Sequence, residues 1–108
     1  MGRYLIVASR DMTEYTNGQS LSELSENLRT EGSDVFFFLI ENGVLSARKD
    51  CREAIRLSEL SGRGVRVMAD DVSCRARGID RLHPGIALSS MDELADAISE
   101  GFGNIYWY

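Results

Sequence analysis

The chain has 108 residues, 44% of them hydrophobic and 27% charged, with a net charge of −5. That is the composition of one ordinary globular domain with a modest core. It argues against nucleic acid as a direct partner, which wants a basic face. Two cysteines, Cys51 and Cys74, make neither a disulfide framework nor a zinc site, so a reducing cytoplasm is expected. The apolar segment Tyr4–Ala8 is far too short for a signal peptide, and no stretch approaches a membrane span.

Taken in chain order, Tyr4-Leu5-Ile6-Val7-Ala8 is a continuous apolar run, the mark of a strand buried on both faces. Ser9 to Gly18 is polar and turn-rich. Ser20 with Glu23 fits a capping box. Leu21, Leu24 and Leu28 repeat at helical spacing, and Gly32 is the stop. Val35 to Ile40 is the strongest strand, followed by an Asn42-Gly43 turn. A helix is predicted over 50–61, with Ala54, Ile55, Leu57, Ser58 and Leu60 inward. Gly62 and Gly64 end it.

Val65 to Ala69 is the third strand. Ser73 is the expected cap of a short helix holding Cys74, closed by Gly78. His83, in a Leu82-His83-Pro84-Gly85 loop, reads as a surface histidine. Ile86 to Leu88 is a fourth strand. Ser90 with Glu93 is a second capping box, and Met91, Leu94, Ala95 and Ile98 mark one apolar face. Gly101 stops that helix before a last strand, Asn104 to Trp107. The alternation predicts a small doubly wound α/β domain spanning residues 1–108. Its five-stranded sheet is mainly parallel, with helices on both faces.

Ligands in such sheets collect at the carboxyl ends of the strands. Three turns should share that edge: Ser9-Arg10-Asp11, Glu41-Asn42-Gly43 and Asp70 to Cys74. No Gly-rich phosphate fingerprint follows the first strand, so NAD or ATP is not expected, and no cofactor is implied. Cys74 is the candidate reactive group. A thiol at a helix N-terminus beside Arg75 and Arg77 gains thiolate character, whereas Asp70 and Asp71 oppose it. The same cysteine also suits a small buried apolar position. Asp70 with Asp71 could hold a divalent cation, although such a pair more often caps a helix, and no metal is assigned. Ser9, Asn42, Ser73, Arg75 and Arg77 complete the expected polar edge.

Three segments resemble the DsrE-like sulfur-relay proteins (the DsrE, DsrF and TusD type). They are Asp71-Val72-Ser73-Cys74-Arg75-Ala76-Arg77-Gly78-Ile79, Ser89-Ser90-Met91-Asp92-Glu93-Leu94-Ala95-Asp96, and Glu41-Asn42-Gly43-Val44. The resemblance spans essentially the whole chain. It implies small α/β subunits in homo- or hetero-oligomers, some of which accept sulfur from a donor protein as a cysteine persulfide and pass it to an acceptor. Counting back from Arg77-Gly78, the places that usually carry the sulfur-bearing cysteine hold Asp70 and Ser73, and Cys74 lies one residue further on. Three functions follow. The chain is a persulfide carrier on Cys74, a non-catalytic subunit or binding module with Cys74 structural, or a metal- or anion-binding domain using Asp70, Asp71 and the helix N-terminus at Gly18-Gln19-Ser20.

Overall fold

The computed structural model describes residues 2–12 and 17–108, with only the backbone at 17 and 18. Its elements are β1 (Arg3–Ala8), α1 (Asn17–Thr30), β2 (Asp34–Leu39), a 3-10 segment (Glu41–Ala47), α2 (Arg52–Gly62), β3 (Arg66–Asp70), α3 (Asp71–Ala76), β4 (Ile86–Ser89), α4 (Met91–Ser99) and β5 (Asn104–Trp107). The strands form one sheet in the order β4-β3-β2-β1-β5, and every named pair is parallel. The expected α/β architecture is therefore the one observed.

Parallel register lines up side chains in rows across the sheet. Ile6 stands beside Phe37, Phe37 beside Val67, and Val67 beside Ile86. This row forms the main core with Ala54, Leu57 and Leu60 of α2, and Leu21, Leu24 and Leu28 of α1 pack against it. On the opposite face, Leu5, Val7, Phe38 and Ile40 form a smaller cluster with Leu94 of α4. Both faces of β1 and β2 are thus enclosed, which is why those strands read as unbroken apolar runs.

The local readings fared unevenly. Ser90 caps α4 by accepting from the Glu93 N–H at 3.2 Å, but the Glu93 side chain accepts from Ser89 Oγ instead of closing the box. Ser20 lies inside α1, which begins at Asn17, so it is not a cap. Part of the Ser9–Gly18 turn lies outside the described residues. Asn42-Gly43 opens into the 3-10 segment, and Ile55 is exposed instead of inward. His83 is no free surface residue: its Nδ1 accepts from the Asp50 N–H at 3.0 Å.

The predicted α4 face is also narrower than expected. Leu94 is 3% exposed, whereas Met91 is 47% and Ile98 39% exposed, and Ala95 is exposed as well. Among the described residues no second helix flanks α4 on that face, so only the side chain aimed straight at the sheet is enclosed. Leu94→Ala should cost about 2–4 kcal/mol in denaturant melts, through lost burial and a residual cavity. Met91→Ala and Ile98→Ala should each cost under about 1 kcal/mol. Equal costs at all three positions would show that the helix is seated differently.

Candidate functional site

Because the sheet is parallel, the ends of β1, β2 and β3 meet along one edge, as the three turns required. Ala8 O at the end of β1 accepts from the Ile40 N–H at 3.0 Å. Gly43 then passes so close that a Cβ there would lie 2.1 Å from Ala8 O. Any larger residue would push the 3-10 segment off the sheet. Glu41 begins that segment at φ 50, a left-handed conformation in which a side chain is strained. Its N–H donates to Ser73 Oγ at 2.9 Å, which ties the end of β2 to α3.

Asp70, not Ser73, caps α3. Its Oδ2 accepts from the Ser73 N–H at 2.9 Å and from the Ser73 hydroxyl at 2.6 Å. Both residues are buried, and among the described residues Asp70 Oδ1 has no hydrogen-bond partner. A buried acceptor left without a donor is costly, so its place at the sheet edge is significant.

The cap decides where the thiol goes. With the Ser73 hydroxyl turned to Asp70, the next residue is rotated by about 100° around the helix. Cys74 is consequently 2% exposed and belongs to the main apolar core. Of the two readings of Cys74, its position fits the small buried apolar one. Burial pushes the Cys74 pKa up from 9.0, Asp70 and Asp71 push it the same way, and Arg77 opposes them. The thiol form is favoured, the reverse of what a nucleophile needs.

Of the other expected edge residues, the structure joins some and scatters others. Arg77 donates from Nε to Asn42 Oδ1 at 3.0 Å and from Nη1 to Ser73 O at 3.2 Å, with Nη2 3.5 Å from Glu41 Oε2. Asp70, Ser73, Glu41, Asn42 and Arg77 thus form one network. Ser9 sits apart, donating to Tyr108 O at 2.8 Å. Arg75 points to solvent and pairs with Asp71 at 3.4 Å. Asp71 also accepts from the Val72 N–H. Cys51 is half-buried, with its Sγ 3.4 Å from Glu53 Oε2. Among the described residues no group of three or more His, Cys, Asp or Glu side chains could hold a metal ion. Reading the sequence places Glu41 at the edge with its turn but does not count it among the candidate site residues. The adjoining Asn42-Gly43 was a signal for a tight turn, but not for the left-handed residue before it.

Comparison with known proteins agrees with this architecture. A family model described as the DsrE/DsrF-like family matches residues 2–107. No curated protein matches the sequence. Among solved structures, the chain is similar to MTH1491 of Methanobacterium thermoautotrophicum, a protein of unknown function. That likeness has 24% identity, 96% of this chain and 97% of that one covered, and a TM-score of 0.83. It is also similar to the ychN protein of E. coli, at 18% identity over the whole of both chains with a TM-score of 0.81. BT1422 of Bacteroides thetaiotaomicron, again of unknown function, shares 18% identity over 98% of this chain and 94% of that one, with a TM-score of 0.80.

Cys74 makes stability depend on pH in a definite direction. Folding raises its pKa above 9.0, so the folded chain holds the thiol proton more tightly than the unfolded chain does. That contribution is whole below pH 9.0 and is lost as pH climbs through the raised value. Denaturant melts from about pH 8 to pH 10 should show the native chain losing stability more steeply than Cys74→Ala. Parallel slopes would mean that the thiol titrates alike in both states.

Proposed function

We propose that this chain, which belongs to the DsrE/DsrF-like family, is a sulfur-relay subunit whose polar sheet edge engages a ligand or partner subunit and whose Cys74 is structural. The observation that carries this reading is the burial of Cys74 in the core beside Asp70. A sulfur carrier must present a thiolate to a donor, and rate depends on access and on thiolate fraction. Cys74 has neither. The places where the family resemblance puts a sulfur-bearing cysteine hold Asp70 and Ser73, which here bond to each other.

What the edge offers instead is recognition. Glu41 and Asn42 are exposed and Arg77 half-buried, and the three form a polar rim held from beneath by the buried Asp70 and Ser73. A polar group on a small molecule or on a partner's loop would meet Glu41, Asn42 and Arg77 at that rim. Two free cysteines suit a cytoplasmic setting. Among the described residues no helix is long and apolar enough to cross a membrane.

Assembly with related subunits is part of this reading. Ile105 and Trp107 of the edge strand β5 are exposed, Trp107 by 62%, as is Leu88 of β4 at the other edge. Uncovered apolar edges of this kind are usually covered by another chain. Light scattering at micromolar concentration should give a mass above that of one chain, and a monomer mass would count against assembly of identical subunits.

The test of the central claim is mass spectrometry after incubation of the native chain with a persulfide donor. No gain of a sulfur atom is expected at Cys74, and iodoacetamide should reach that residue only after denaturation. A gain mapped to Cys74 in the native chain would restore it as carrier and overturn the structural role.

A further inference from the structure

Acidic residues outnumber basic ones in this chain, 17 to 12, yet one cleft reverses the balance. It has a volume of about 480 Å3 and lies between the residues after the 3-10 segment and the loop after α3. Arg48, Lys49, Arg77 and Arg81 line it, against two acids, Asp50 and Asp80. Leu45 and Ile79 supply an apolar part of the wall.

Backbone pairing puts these cations side by side. An isolated antiparallel bridge joins Arg48 to Leu82, which sets Lys49 opposite Arg81. The Lys49 N–H accordingly donates to Arg81 O at 3.1 Å. Like charges directly opposite one another across strands are destabilising. Among the described residues Arg48, Lys49 and Arg81 enter no salt bridge, so Asp50 and Asp80, which line the same cleft, offset these charges only at longer range.

The arrangement is also held under strain. Asp50 has φ 65, a region that side chains other than glycine rarely adopt. Its N–H is secured by His83 Nδ1, and the His83 N–H donates to Ala47 O at 2.9 Å. Arg48 is fixed through Nε, which donates to Leu45 O at 2.8 Å. Arg77 is committed to Asn42, Ser73 and Glu41 and serves as wall. A merely solvated charged surface needs neither the facing cations nor the strained residue that presents them.

We infer that this cleft binds a small molecule bearing a phosphate or pyrophosphate group, with Arg48, Lys49 and Arg81 on the anion and Leu45 and Ile79 against its apolar part. Guanidinium groups suit oxyanions through paired N–H donors, and lysine adds a compact positive charge. The cleft's size falls within the roughly 300–1,000 Å3 of small-molecule sites. An anion there would relieve the repulsion across the bridge. The site does not include Cys74 and shares only Arg77, as wall, with the Asp70 network. Its anion-binding residues, Arg48, Lys49 and Arg81, lie outside that network, so its test is independent of the proposed function.

Amide-resolved NMR titration of the full chain with sodium pyrophosphate tests this, with sodium chloride at matched ionic strength as the control. Saturable shifts are expected at residues 48–50 and 78–81, and chloride should not reproduce them. In Lys49→Gln combined with Arg81→Gln, the dissociation constant should rise about tenfold or more, as loss of two charge-assisted contacts requires. Arg52→Gln, exposed on α2 outside the cleft, should leave binding unchanged. Both altered positions are exposed, and the amide spectrum of the double variant shows whether it remains folded. As a second measurement, pyrophosphate should raise the melting temperature of the parent and not of the double variant. Absence of saturable shifts, equal shifts with chloride, or undiminished affinity in the double variant would overturn the inference.

Discussion

The carboxylate of Asp70 is the group on which the polar edge of this protein turns. One of its oxygens accepts both the backbone N–H and the hydroxyl of Ser73, and that hydroxyl in turn accepts from Glu41. A single buried carboxylate thereby caps α3, joins the end of β3 to the end of β2, and sets the rotation of the helix that follows. Charge-assisted hydrogen bonds in a site shielded from water are among the stronger ones available to a folded chain. Ser73 is pulled toward the edge, and Cys74, one position later, is delivered to the core.

That rotation separates the architecture of the family from the placement of the thiol. A chain can keep the parallel sheet and the edge of the DsrE/DsrF-like fold while the thiol near that edge turns away. Exposure and charge act together here. Burial disfavours the thiolate, and the two aspartates that shape the helix start disfavour it again. A network of Asp70, Ser73, Glu41, Asn42 and Arg77 occupies the edge instead, and its chemistry is hydrogen bonding.

Close steric fit supports the electrostatics. Gly43 lies against the carbonyl of Ala8, so the 3-10 segment can lie over the end of β1. That contact places Glu41 within reach of Ser73, and it carries the chain onward to the bridge between Arg48 and Leu82. The polar network and the cationic cleft are consequently two ends of one ordered connection between β2 and α2. Arg77 touches both, bonding to Asn42 and Glu41 on one side and lining the cleft on the other.

By itself the sequence determined the element order, the parallel sheet and the shared edge of the three turns. These follow from local signals: unbroken apolar runs at β1 and β2, leucines at helical spacing in α1, and the Ser90 cap of α4. Residues 71–79, 89–96 and 41–44 together suggested the family. Orientation within one helical turn was not legible, because it depends on which partner wins a hydrogen bond. Ser73 suits a cap by residue type, but the buried Asp70 wins because its carboxylate takes two donors from the same residue. The width of the α4 face was likewise undecidable from periodicity, since Met91 and Ile98 are enclosed only if a neighbour stands beside the helix. Lys49 and Arg81 are far apart in the chain, and only the antiparallel bridge makes them face each other. Sequence patterns report what each element can bury or bond, and tertiary contacts decide which of those options is taken.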